Sequence, residues 1–164
     1  MEVKNMRHTI SVLVENQFGV LARVAGLFSG RGFNITSLAV GETNDPGISR
    51  MTIVVDDQGS PLIMEQVEKQ LNKLINVIKV QDFAGGESVD RELILVKVKT
   101  SDATRSEILE LSRIFRARVV DVSRRSVVLE ITGAADKIKA ILDLLSSFGI
   151  KELVRTGKIA IARS

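Results

Sequence analysis

Two short segments flank one predicted helix, and both carry residue types suited to binding a small polar ligand. The first is Glu15-Asn16-Gln17-Phe18-Gly19-Val20-Leu21, and the second is Arg31-Gly32-Phe33-Asn34-Ile35. Free N–H groups at a helix start, with the positive end of the helix dipole, favour a carboxylate. An asparagine amide both donates and accepts hydrogen bonds. The pattern therefore indicates a binding site for a zwitterionic metabolite rather than a catalytic site.

The same residues also fit a purely structural interpretation. Asn16 belongs to the residue types that cap a helix start, and Gly32-Phe33-Asn34 is typical of a helix end. In a binding site, by contrast, Phe18, Leu21 and Ile35 would form an apolar wall beside the ligand. Sequence pattern alone leaves both interpretations open.

Hydrophobic spacing around the two segments predicts a βαββαβ unit. Ile10, Val12 and Val14 alternate as in a strand, whereas the apolar residues after Gly19 recur on one side of a helix. Turn residues 44–47 separate two further strands. The predicted elements are strand 8–14, helix 19–31, strands 34–43 and 48–56, a helix that begins at Ser60-Pro61, and strand 77–83.

The same order of elements repeats after residues 84–90, which contain two glycines and predict a linker. The second set is strand 93–99, helix 104–116, strands 118–123 and 126–132, helix 135–148, and strands 150–154 and 158–161. The predicted fold class is α+β, with tandem ferredoxin-like domains over 7–83 and 91–164. Open sheet edges favour pairing between chains, so a homodimer is expected.

Composition excludes several classes of function. The chain is 45% hydrophobic and 26% charged, as ordinary globular proteins are. It has no cysteine, so disulfides, thiolate metal sites and a cysteine nucleophile are excluded. His8 is the only histidine, and the acidic pair Asp56-Asp57 simply precedes a turn. These residues form no metal-binding or catalytic cluster in the sequence, so neither kind of site is predicted. Without an apolar run of about 18 residues or a signal peptide, we expect no membrane contact. The expected location is the cytoplasm, or an organellar stroma if a transit peptide has been removed.

Positive charge is concentrated in the second half of the chain. Residues 1–85 carry 8 Lys/Arg and 9 Asp/Glu, whereas residues 86–164 carry 15 and 11. A basic cluster there consists of Arg113, Arg116, Arg118, Arg124 and Arg125. It is either a solvated surface or a docking surface for a protein partner. Nucleic acid is not an expected partner, because RNA-binding sheets of this type stack bases on aromatic residues that neither half carries.

The predicted helix fixes the spacing of the two candidate segments. About 13 residues, each rising about 1.5 Å, place Asn16 and Asn34 roughly 18–20 Å apart. One small molecule cannot contact both groups within a single chain. Two chains related by a two-fold axis can bring the two ends together. If both segments serve one ligand, the site therefore lies between chains and occurs in symmetric pairs.

The two segments resemble the ACT domain, a regulatory module that binds amino acids. Further motifs resemble one family, the small regulatory subunit of acetolactate synthase (acetohydroxyacid synthase). These motifs are residues 45–52, 70–74, 91–98, 114–117, 119–122 and 152–157. One departure is Arg125-Ser126-Val127, where relatives often carry a tyrosine, so an aromatic contact is not carried over there.

This resemblance implies a regulatory chain without catalytic residues of its own. In that family the small subunit stimulates a catalytic subunit, a transferase that forms acetohydroxy acids, and confers feedback inhibition by valine in branched-chain amino-acid biosynthesis. Thiamine diphosphate, Mg and FAD would belong to the catalytic subunit. The effector contacts implied by position are Asn16, Gly19, Val20 and Leu21 from one chain and Asn34 and Ile35 from the other. The resemblance does not separate valine from leucine or isoleucine.

The resemblance also implies a division of labour, with sensing and dimerisation in residues 7–83 and contact with the catalytic subunit in residues 91–164. Two other functions stay open. One is a free-standing ACT-domain amino-acid sensor that acts on another partner or on transcription, although no recognition helix or winged motif is evident. The other is an enzyme in its own right, although no catalytic constellation is visible in the sequence.

Overall fold

The computed structural model describes residues 6–60 and 62–164. Pro61, part of the predicted helix start, and the first five residues lie outside the described residues. The elements are β1 (Arg7–Glu15), α1 (Val20–Gly30), β2 (Ile35–Glu42), β3 (Ile48–Asp56), α2 (Leu62–Asn72), β4 (Val77–Asp82), β5 (Ser88–Lys99), α3 (Arg105–Ile114), β6 (Arg118–Val122), β7 (Ser126–Gly133), α4 (Ala135–Ser146), β8 (Ile150–Arg155) and β9 (Ile159–Ala162).

The first sheet is antiparallel with strand order β2-β3-β1-β4. Val12 of β1 lies opposite Met51 of β3, and both side chains are fully buried. Because side chains alternate along a strand, every second residue of β1 enters the core with them. Apolar faces of α1 and α2 complete that core. This confirms the predicted βαββαβ unit.

Helix α1 places the candidate site residues at its two ends. Its buried side chains, Val20, Val24 and Phe28, recur every four residues and fix the helix against the sheet. At the C-terminal end, Gly32 takes a left-handed backbone (φ 71°), and the N–H of Phe33 donates to the Phe28 carbonyl at 3.1 Å. This hydrogen-bonded glycine turn ends the helix, as the structural interpretation of Gly32-Phe33-Asn34 predicts.

The second unit repeats the arrangement with strand order β6-β7-β5-β8. Ile94, Val96 and Val98 of β5 alternate into a core that α3 and α4 cover. The predicted α+β class, with tandem ferredoxin-like units, is therefore confirmed.

The end of the chain shows a difference from the predicted pattern. Strand β9 pairs with β5, yet residues 158–164 form a compact unit with the described residues up to Val89, and residues 90–157 form the other unit. Strand β5 also begins at Ser88 rather than at residue 93. The backbone N–H of Arg163 donates to the Glu87 carbonyl at 2.9 Å. This pairing between distant segments extends β5 into the predicted linker. The local hydrophobic periodicity of the sequence gives no sign of it.

Candidate functional site

The start of α1 offers backbone donors to a ligand. Gly19 is the N-cap residue and has a left-handed backbone (φ 81°), which turns the chain from β1 into the helix. Among the described residues, the N–H groups of Gly19 and Leu21 donate no backbone hydrogen bond. The first turn of α1 also carries no acidic residue. A carboxylate would therefore meet free N–H groups and the positive end of the helix dipole, with no acidic side chain in that helical turn.

The N-cap residue is Gly19 and no side chain among the described residues caps the helix, so the interpretation of Asn16 as a helix cap is wrong. Its Nδ2 donates to the Glu42 carboxylate at 3.2 Å and to the Pro46 carbonyl at 2.9 Å. Its backbone N–H donates to the Gly47 carbonyl at 2.8 Å. Asn16 is thus attached to the turn between β2 and β3. Within the described part of the chain its Oδ1 accepts no hydrogen bond, so this oxygen is available for an ammonium group.

The side chains near the helix start differ sharply in exposure. Phe18 is fully exposed and Leu21 is about half exposed, so both can contact a ligand or a second chain. Val20 is instead buried in the core, and its N–H donates to the Gln17 carbonyl at 3.3 Å. Among the predicted contacts at the helix start, Val20 therefore presents neither an exposed side chain nor a free N–H group to a ligand. Leu21 supplies the apolar surface instead.

Asn34 and Ile35 lie at the opposite end of α1. The Asn34 carbonyl accepts the N–H of Asp56 at 3.2 Å, and its side chain is exposed. Ile35 begins β2 and pairs with Val55. Since α1 has 11 residues, its two ends are about 16 Å apart. The single chain therefore does not bring Asn34 to the Asn16 side of the helix.

A buried carboxylate organises the loop beside Asn34. Asp57 accepts the N–H of Met6 and the N–H of Gly59, each at 2.9 Å, and lies 3.1 Å from Nε2 of His8. The hydrogen bond from Gly59, followed by that from Met6 and the interaction with His8, holds the pKa of Asp57 below its ordinary value. The sequence predicts only a charged pair before a turn here. The fold instead makes Asp57 a buried acceptor.

Two residues that make polar contacts at the helix start are absent from the sequence-based prediction. Glu42 reaches Asn16 from β2, and Asn76 reaches Glu15 and Arg23 from the loop after α2. Glu42 and Asn76 lie far from the motif in sequence. Only the topology of the sheet could have revealed them.

The basic cluster is divided between the two ends of β6. At one end, Arg113 lies in the last turn of α3, Arg116 follows the helix and Arg118 begins β6. At the other end, Arg124 and Arg125 lie between β6 and β7. All five side chains are exposed. Five residues of strand span about 16 Å. The cluster therefore forms two separate basic groups rather than one patch.

Residues 6–60 and 62–164 contain no group of three His, Asp or Glu side chains placed to hold a metal ion. The helices in this part of the chain are also too short or too polar to cross a membrane.

Two protein-family models together match most of the chain. The family model described as the AHAS small subunit-like ACT domain matches residues 10–79, and the model described as the small subunit of acetolactate synthase matches residues 91–164.

Individual relatives match over almost their whole length. The probable acetolactate synthase small subunit of Archaeoglobus fulgidus is 58% identical over 158 residues, covering 96% of this chain and 98% of the relative. The acetolactate synthase small subunit of Mycolicibacterium smegmatis is 53% identical, covering 95% and 91%. The crystal structure of the acetolactate synthase small subunit from Thermotoga maritima superposes with a TM-score of 0.87 at 43% identity, covering 97% and 98%. The chain therefore belongs to the family of acetolactate synthase small subunits.

Proposed function

We propose that the chain is a regulatory subunit that stimulates the catalytic subunit of acetolactate synthase and makes it sensitive to feedback inhibition by valine. The observation that carries this proposal is the start of α1. There the N–H groups of Gly19 and Leu21 donate no backbone hydrogen bond among the described residues, and the first turn of the helix carries no acidic residue. Membership of the small-subunit family supports the partner, and the ACT domain supports an amino-acid effector.

The groups at the helix start match the three parts of a branched amino acid. The N–H groups of Gly19 and Leu21 would bind its carboxylate. Oδ1 of Asn16, with the Glu42 carboxylate close by, would bind its ammonium group. The exposed Leu21 and Phe18 would pack against its branched side chain.

The second half of each site would come from another copy of the chain. Asn34 and Ile35 lie at the far end of α1, so a two-fold homodimer is the arrangement that places them beside Asn16 of the other copy. Valine binding would then stabilise one dimer arrangement. A coupling free energy of about 1–3 kcal/mol between effector and catalytic subunit would suffice for feedback control. Thiamine diphosphate, Mg and FAD would reside in the catalytic subunit, which residues 91–164 would contact.

Reconstitution tests this function directly. The purified chain is mixed with the catalytic subunit, and acetolactate formation is measured with and without valine. We expect stimulation by the chain and a reduction of the stimulated rate by valine. Absence of stimulation, together with intrinsic activity of the chain, would contradict the proposal. Calorimetric titration with valine, leucine and isoleucine separates the three effectors.

A further inference from the structure

Asn76 connects the two sides of the turn that carries the candidate effector groups. It lies in the loop between α2 and β4. Its carbonyl accepts the N–H of Glu15 at 2.9 Å, and its Nδ2 donates to the Glu15 carboxylate at 2.9 Å. Its Oδ1 accepts Nη1 of Arg23, in the first two turns of α1, at 2.7 Å. A longer contact of 3.5 Å joins Nδ2 to the side chain of Gln17.

From this geometry we infer that Asn76 is a positioning residue for effector binding, an inference that rests on the proposed function. Only four residues separate the end of β1 at Glu15 from the start of α1 at Val20. Asn76 holds Glu15 before the turn and Arg23 after it, and so limits how the intervening amides can move. Ordering a backbone residue costs conformational entropy. A turn that is already ordered removes that cost from ligand binding.

The hydrogen bonds require an amide at this position. Nδ2 donates to a carboxylate while Oδ1 accepts from a guanidinium, and an amide carries this donor and this acceptor on two separate atoms. An aspartate would keep the contact to Arg23 but would place its charge against the Glu15 carboxylate. An alanine would lose all the side-chain contacts and keep the backbone bond to the Glu15 N–H.

Titration of full-length variants with L-valine tests the inference. We expect Asn76→Ala to bind valine about tenfold more weakly than the unaltered chain, as the loss of one to two net hydrogen bonds would produce. Asn76→Asp should bind more weakly still. Asn72→Ala is the matched control, because Asn72 is an exposed asparagine in the last turn of α2. Its valine affinity should be unchanged.

Two further measurements separate positioning from general stability. Amide NMR signals of residues 16–21 should broaden or shift in Asn76→Ala, while those of the second unit stay in place. Arg23→Ala and Asn76→Ala should also act non-additively on valine affinity, because both remove the same contact.

The outcomes distinguish this inference from the proposed function. Equal valine affinity in the unaltered chain and in Asn76→Ala overturns the positioning role and leaves valine sensing standing. A weakened affinity in Asn76→Ala that is matched by a lowered melting temperature, without change at residues 16–21, also overturns it. If the unaltered chain binds no valine, the proposed effector itself is wrong.

Discussion

Arg116, directly after the C-cap residue of α3, has the backbone conformation that Gly32 has directly after the C-cap residue of α1. Both residues are left-handed, with φ of 54° and 71°. Each is followed by an N–H that donates five residues back, from Ala117 to the Ser112 carbonyl at 2.7 Å and from Phe33 to the Phe28 carbonyl at 3.1 Å. The two units therefore close equivalent helices in the same way, although a side chain in this conformation costs roughly 1–2 kcal/mol.

Replacing Arg116 with glycine should stabilise the protein by about 0.5–1 kcal/mol, because glycine adopts this conformation without strain. Urea denaturation followed by circular dichroism measures the change, since the chain has neither tryptophan nor tyrosine. Gly32→Ala is the mirror control and should destabilise by a similar amount. A loss of stability in Arg116→Gly would contradict this account. If the basic group at the end of α3 docks the catalytic subunit, the same variant should also bind that subunit more weakly.

If the helix start binds a carboxylate, replacing Gly19 with aspartate and with the isosteric asparagine should have different effects on valine inhibition. Asparagine and aspartate both tolerate the left-handed conformation, and a Cβ at this position meets no atom within 4 Å. Gly19→Asp adds a negative charge where the effector carboxylate is expected, whereas Gly19→Asn adds only bulk. We expect valine to inhibit the reconstituted enzyme least with Gly19→Asp.

Stimulation without valine reports whether each Gly19 variant still engages the catalytic subunit. Equal valine sensitivity of Gly19→Asp and Gly19→Asn would show that charge at this position does not matter, and the carboxylate would have to bind elsewhere.

Local patterns predicted most of the fold because each strand or helix shows its characteristic hydrophobic spacing within its own sequence. Strand β3 is a clear case, since the turn residues before it and the charged pair at its end mark its limits. The candidate segments were also correctly placed at the two ends of α1. Contacts between distant segments were not predictable. Asn16 binds Glu42 and Pro46 through the pairing of β2 with β3, and arginine gives no signal for a left-handed helix end.

Acid should weaken the loop that Asp57 organises. Since its pKa is lowered below the ordinary value of 3.8, the carboxylate stabilises the fold fully above that pH and loses its contribution as pH falls through the lowered value. The free energy of unfolding should therefore fall more steeply as pH drops below 3.8 in the unaltered chain than in Asp57→Asn. Glu68→Gln, which changes an exposed carboxylate of α2, should keep the steep slope. Parallel slopes for Asp57→Asn and the unaltered chain would contradict this role.

The burial pattern of β9 predicts that two neighbouring residues respond differently to the same substitution. Ala160 is buried and Ile161 is exposed. An aspartate at position 160 would be a buried charge without a partner, so Ala160→Asp should destabilise by about 2 kcal/mol or more. Ile161→Asp should stay within about 0.5 kcal/mol. Thermal denaturation measures both, and equal effects would show that β9 does not pack in solution as described.

A site shared between two copies predicts that two variants, each defective in valine binding, complement one another when mixed. Asn16→Ala and Asn34→Ala each damage both sites of their own homodimer, so neither should bind valine well alone. In a mixed dimer, one site receives both substitutions and the other receives both native asparagines. Random mixing should therefore restore about a quarter of all sites, one in each mixed dimer. Calorimetric titration of the mixture after subunit exchange measures this fraction. If both asparagines served a site within one chain, mixing would restore no high-affinity binding.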